Sequence, residues 1–157
     1  MNNYQLYVLL KRHTHTCHLF KTVTAADTVP SVVTDYPAFY ISNQAKLGER
    51  GSHWVVLGFS HRDGKSEFFD SRAHGLASYS KEINDSLIRN GNGQVQTNDA
   101  IYQPAGSATC GEFCCWFLDQ RCMGLPFDKC VGSLSKPNLT KNQIKVESYV
   151  AHHMTQP

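Results

Sequence analysis

Two spacings of apolar residues run through this chain, one helical and one extended, and together they predict its elements. Leu6 and Leu10 are four apart, on one face of a helix expected from about Tyr4 to Lys11 with Asn3 as its cap. Thr22 to Pro30 reads as a strand and a turn, and Ala38–Asn43 (AFYISN) is rich in strand formers. A polar loop, Gln44 to Gly51, leads into HWVVLGF (53–59), a nearly unbroken apolar run typical of a buried strand. Asp63-Gly64 then signals a hairpin turn, with SEFFD (66–70) as the return strand.

The helical spacing resumes from Tyr79 to Asn90. Ser80 is the expected cap, Ile83, Leu87 and Ile88 the inner face, and Gly91 the stop. Gln94 to Gln103 reads as extended. Cys110 to Cys122 is apolar nearly all round, which predicts a central helix. A last helix is expected from about Thr140 to His153, with Thr140 and Gln143 as a capping box and Ile144, Val146, Tyr149 and Val150 facing inward. The pattern is α+β: a small mixed, mostly antiparallel sheet packed on a central helix.

Composition narrows the setting. The 157 residues suit a single domain, 1–157, and no repeat or linker interrupts them. Apolar residues make up 41% and charged residues 18%, as in an ordinary globule. No apolar run approaches the ~20 residues needed to span a bilayer, so no membrane partner is expected. The net charge of +2 is too weak by itself to argue for nucleic-acid binding. The opening residues place their apolar run before Lys11-Arg12, the reverse of a signal peptide, so an intracellular setting is expected. The cysteines at 17, 110, 114, 115, 122 and 130 are then expected to be reduced, five of them merely packing.

Cys110 differs from the rest. Thr109 and Glu112 form a capping-box signature, with Ser107 an alternative cap, so Cys110 belongs to the first turn of the central helix. Free N–H groups and the helix dipole there favour a thiolate. Gly111 removes bulk beside it, which opens an approach for a substrate carbonyl. His53 and Asp70 flank the Asp63-Gly64 hairpin and have the parity to share one face if the turn has an even number of residues. An imidazole held by a carboxylate is what a cysteine nucleophile needs. Gln103, seven residues before Cys110, places a side-chain amide where it could join the Cys110 N–H as an oxyanion hole.

The set resembles the adenovirus protease (adenain) group, which is related to papain-like enzymes and shares a fold with ubiquitin-like-protein proteases. The residues that carry the resemblance are GSHW (51–54), FFDS (68–71), and Gln103 followed by GSATCGEFCC (106–115). The gaps of 17 residues from His53 to Asp70 and 7 from Gln103 to Cys110 match the group's pattern. AFYISN, the loop before Gly51, VTAADTVP (23–30) and the stretch from Cys122 to about Gly132 are similar as well. The nearest flavour is the shorter protease of Polinton/Maverick elements and adintoviruses, with Asp70 where adenain has glutamate.

The resemblance implies a thiol endopeptidase in which Cys110 is nucleophile, His53 base, Asp70 orienter and Gln103 oxyanion donor. It implies cleavage of viral polyprotein or capsid precursors at Gly-containing sites during particle maturation, by a monomer in the virion and the host nucleus or cytoplasm. Trp54 and Gly51 would shape the slot for the substrate backbone, Gly111 would border it, and Asp27 would touch substrate. Adenain takes a disulfide-linked peptide and DNA as activating cofactors. The matching region around Ile88 to Val95 has no cysteine, so a covalent peptide is not expected here.

Other readings compete. A ubiquitin-like-protein deconjugase would use the same residues, and a catalytically silent binding module would retain the same fold. The run HTHTCH (13–18) offers metal ligands, but no C-x₂-C pair or standard zinc spacing accompanies it. A polar, histidine-rich loop without metal is the expectation there. Asn84 and Asn138 head glycosylation triplets, which mean little in an intracellular protein.

Overall fold

Leu6 and Leu10 are both fully buried and draw the first helix, α1 (Asn3–Arg12), onto the core of the computed structural model, which describes residues 1–155. Its cap is Asn2 rather than Asn3. The Asn2 side chain accepts from the Gln5 N–H at 2.9 Å, and the Gln5 side chain accepts from the Asn2 N–H at 2.9 Å.

Five strands form one sheet in sequence order: β1 (Phe20–Thr24), β2 (Ala38–Asn43), β3 (Trp54–Phe59), β4 (Ser66–Phe69) and β5 (Val95–Thr97). The central pairings, β2–β3 and β3–β4, are antiparallel, and the two edge pairings are parallel. Only three residues of the expected extended segment 94–103 pair as a strand.

Every residue of β3 is buried, as its apolar run required. Alternation then sorts side chains to the two faces. Trp54 and Val56 join Phe39, Ile41 and Phe69 on one face, while Val55, Leu57 and Phe59 join Ala38 and Phe68 on the other. The second face is covered by α2 (Lys81–Asn90) through Ile83 and Leu87. Ser80 caps this helix as expected, accepting from the Ile83 N–H at 3.2 Å. Ile88 does not face inward; it is exposed.

The first face carries α3 (Cys110–Cys122), with α1, α4 (Phe127–Gly132) and α5 (Leu139–Tyr149) around it. Phe113 through Leu118 are all buried, so α3 is enclosed on nearly every side. Its fit to the sheet is specific: the Phe69 and Phe117 rings stack with centroids 4.3 Å apart, and Phe127 meets Phe117 edge-on. The cap of α5 is Asn138, not Thr140, and Gln143 bonds Glu147 one turn on. Ile144 is exposed, while Val146 and Val150 are buried. A single turn of π-helix, Val150–Met154, follows. Among the described residues, no helix is long and apolar enough to cross a membrane.

One ion pair fixes the far end of α3 to the sheet. Arg121 Nε donates to Glu67 Oε2 at 2.9 Å, and its Nη2 donates to Glu67 Oε1 and to Ser60 Oγ. Gly58 leaves the room for this: a Cβ there would lie 2.8 Å from the Phe39 ring and 3.1 Å from Glu67 Oε2. The side chains of Arg121 and Glu67 are 11% and 7% exposed, so removing one partner strands a buried charge. Arg121→Met is expected to cost about 3–5 kcal/mol in urea unfolding. Adding Glu67→Gln should recover a good part of that loss.

Candidate active site

The central helix begins at Cys110, where the sequence placed it, but the capping box does not form. Thr109 has φ −99° and ψ 15°, off the extended geometry of a capping side chain. Its hydroxyl lies 3.2 Å from that of Ser107 instead, and Glu112 Oε2 is buried without a partner. Cys110 still occupies the first turn, where backbone N–H groups lack helical acceptors. It is 8% exposed, so a reagent can reach it only from one side.

The hairpin register places His53 and Asp70 together. Val56 pairs with Phe69 and Leu57 with Phe68, so residues 53 and 70 continue the face of Leu57 and Phe68. Both side chains are buried, and His53 Nε2 lies 2.7 Å from Asp70 Oδ1. That leaves Nδ1 for the thiol. Nδ1 is buried and completes no hydrogen bond in the resting geometry, yet Cys110 is close enough for the two groups to shift each other. Catalytic hydrogen bonds are often long before substrate binds.

The charges of the three groups are coupled. Burial alone would push the His53 pKa down, but the bonds to Asp70 and then to Cys110 outweigh it and hold it raised. Burial would push the Cys110 thiol up; His53, the Trp54 backbone N–H and Arg72 together lower it. Asp70 resists the upward push of burial and is held at about 2 by His53, Tyr79 and backbone donors. The other helix thiols go the opposite way. Burial sends Cys114 and Cys115 well above the ordinary thiol range and takes Cys122 to about 12.

Asp70 is also the centre of a structural knot. Its Oδ1 accepts from the Arg72 N–H at 2.9 Å, and its Oδ2 from the His74 N–H at 2.9 Å and the Tyr79 hydroxyl at 2.5 Å. Asn98 accepts from the Asp70 N–H and donates to its carbonyl, at 2.9 and 2.7 Å. The His74 ring lies over His53, centroids 5.2 Å apart. None of Arg72, His74, Tyr79 and Asn98 stood out in the sequence. Each reaches Asp70 or His53 through the fold, and only the short polar turn after Asp70 hinted at a wrapped carboxylate.

Gln103 is buried, with both ends of its amide engaged. Ser71 Oγ donates to Oε1 at 2.6 Å, an orientation assigned by the Ser107 carbonyl at the other end of the amide, which can only accept. Nε2 then points to Ser107, donating to its carbonyl at 3.1 Å and its hydroxyl at 2.9 Å. Arg72 Nη2 donates to the same carbonyl at 2.6 Å, while its Nε is buried without a partner. Ser107 thus links Gln103 and Arg72 to Thr109, next to Cys110. An amide donor and a helix N-terminus on one loop are the parts of an oxyanion hole.

The remaining predicted residues sit differently. The Trp54 indole is mostly buried, its Nε1–H donating to the Met1 carbonyl at 3.4 Å. Gly111 faces α1 rather than open space: a Cβ there would lie 3.3 Å from Met1 and 3.5 Å from Leu6. The glycine admits close packing of α1 on α3. Gly51 is exposed and packs on Asn43, whose side chain accepts from the Ala45 and Ser52 N–H groups. Asp27 is exposed and accepts from the Leu47 N–H at 2.7 Å, bracing the loop before His53.

No family model matches this sequence, and no curated protein does. Solved structures do. A crystal structure of the ASFV pS273R protease aligns with TM-score 0.63 and 12% identity over 99% of this chain and 67% of that one. A selenomethionine form of the same protease aligns with TM-score 0.53 and 14% identity, over 76% of this chain and 45% of that one. The SUMO protease Ulp1, with its catalytic cysteine oxidised to a sulfonic acid, reaches TM-score 0.44 at 17% identity over 73% of this chain and 51% of that one. This chain therefore spans about half to two thirds of the lengths of these proteases. What the likeness establishes is architecture: the chain has the α+β fold of the ASFV pS273R protease.

Proposed function

We propose that this chain is a cysteine endopeptidase that cleaves viral or mobile-element precursor proteins at glycine-containing sites during particle maturation. The observation that supports thiol-peptidase chemistry is Cys110 at the start of a buried helix, its pKa lowered beside an imidazole held 2.7 Å from a buried carboxylate; the precursor substrates and glycine sites rest on the sequence resemblance.

The chemistry follows from that coupling. The Cys110 thiolate adds to the scissile carbonyl carbon, and the carbonyl π electrons move onto oxygen. The oxyanion takes hydrogen bonds from Gln103 Nε2 and the Cys110 N–H once Ser107 yields the amide. The His53 imidazolium gives its proton to the departing amine, leaving a thioester. Neutral His53 then takes a proton from water, hydroxide equivalent adds to the thioester, and the thiolate leaves. Asp70 keeps the ring oriented and its cation stabilised throughout.

Peptide or DNA activation in the virion, the nucleus or the cytoplasm belongs to the same proposal. Rates with and without a viral peptide or DNA test it directly.

Cys110→Ala is expected to abolish cleavage of glycine-containing peptides while leaving the melting curve intact; turnover in that variant would defeat the mechanism. Transfer of the chain to ubiquitin- or SUMO-vinyl-sulfone without peptide cleavage would instead favour a deconjugase. Gln103→Ala should lower kcat by roughly 10²–10³ if its amide binds the oxyanion.

Iodoacetamide at pH 7 should label Cys110 ahead of the other helix cysteines, read by mass spectrometry. Its pH profile should have a midpoint below the ordinary 9.0. In His53→Ala, burial acts without its largest opponent, so the midpoint should move up, towards or past 9.0. An unmoved midpoint would show that His53 does not set the thiol.

A further inference from the structure

We infer that His13, His15 and Asp119 form a binding site for one divalent transition-metal ion of the zinc type, separate from the catalytic centre. Asp119 lies nine residues beyond Cys110 on α3, about 13 Å along the helix axis.

Linear spacing hides this site because its third ligand comes from elsewhere in the chain. The turn after α1 supplies His13 and His15, and the far end of α3 supplies the carboxylate. His13 Nε2 is 2.9 Å from Asp119 Oδ1, and His15 Nδ1 is 3.0 Å from the same oxygen. The three ligand atoms all lie within 4.8 Å of one another. The side chains are 13%, 45% and 1% exposed, so the carboxylate is buried and needs a partner of opposite charge.

Ordinary hydrogen bonding accounts for only half of this arrangement. The His15 contact has hydrogen-bond geometry. The His13 contact does not: Nε2 is buried, close to Oδ1, and still without a hydrogen-bond partner. A buried imidazole nitrogen left unpartnered is costly, and imidazole nitrogen is the commonest protein ligand for metals. One cation between the three atoms satisfies both rings and the carboxylate together. Tetrahedral zinc with bonds of about 2.0–2.1 Å holds its ligand atoms about 3.3 Å apart. The two ring contacts need to open by only about 0.3–0.4 Å to reach that spacing.

The surroundings are already organised. The Tyr149 hydroxyl donates to Asp119 Oδ2, which fixes the carboxylate plane and leaves Oδ1 for the rings. The turn is held by Thr16 Oγ1 donating to the Leu10 carbonyl at 2.6 Å and by the Cys17 N–H donating to the His13 carbonyl at 2.9 Å. Half-exposed His15 leaves the fourth position to water. A bound ion would clip the end of α1 to the helix that starts at Cys110.

The test uses the full chain carrying Cys110→Ala, so that zinc cannot settle on the catalytic thiol. Protein stripped with EDTA is titrated with zinc chloride and followed by calorimetry, metal analysis and thermal melting. One zinc per chain and a raised Tm are expected. Adding His15→Ala, with folding checked by circular dichroism, should weaken binding by more than the ~10–100-fold typical of outer-shell changes. Adding His74→Ala, which disrupts the His53–Asp70–His74 group instead, should leave binding intact. The inference is overturned by absence of stoichiometric zinc, by binding untouched in His15→Ala, or by binding lost in His74→Ala.

Discussion

A single buried negative charge organises the candidate active-site end of this protein. Asp70 is almost fully removed from water, and an isolated carboxylate there would take up a proton rather than stay ionised. It stays ionised because four donors converge on it: the His53 ring, two backbone N–H groups and the Tyr79 hydroxyl. Those donors come from the residue just before β3, from the turn after β4 and from the approach to α2. Satisfying one charge therefore fixes three segments of chain. The same charge favours the imidazolium of His53, and that cation in turn favours the thiolate of Cys110.

Helix α3 transmits this order through the molecule. Its middle is locked to β4 by the Phe69–Phe117 stack, one residue before Asp70. Its far end is tied to the same strand through Arg121 and Glu67. The Cys110 thiol at the start of α3 and the Asp70 carboxylate just past β4 thus sit at the same end of one packed helix–strand pair, and the Arg121–Glu67 pair closes the other end. Gly111 lets α1 press against the turn that carries Cys110, so the first helix packs directly on the candidate site.

Much of this was legible in the residues, for definite reasons. A central strand buried on both faces must be apolar throughout, and β3 is. A helix enclosed on all sides cannot be amphipathic, and α3 is not. The hairpin parity of His53 and Asp70 follows from the period of two. What stayed hidden was set by contacts across the fold. Thr109 has the sequence of a cap, but its hydroxyl is taken by Ser107. Ile88 and Ile144 have helical spacing yet face solvent, because apolar residues also occupy surfaces. Tyr79 and Asn98 look like helix edge and loop, and their service to Asp70 has no local signature.

The resting arrangement of Gln103 has a consequence for how the proposed chemistry would draw on it. Both of its amide hydrogens are already used by Ser107, so the donor is never a vacancy waiting for any carbonyl. A neutral substrate carbonyl replacing Ser107 exchanges one bond for another of similar strength and gains little. An oxygen carrying developing negative charge is a stronger acceptor and displaces Ser107 at a profit in free energy. The loop would act as an internal competitor, discriminating against the ground state and reserving its donor for the moment the carbonyl becomes tetrahedral.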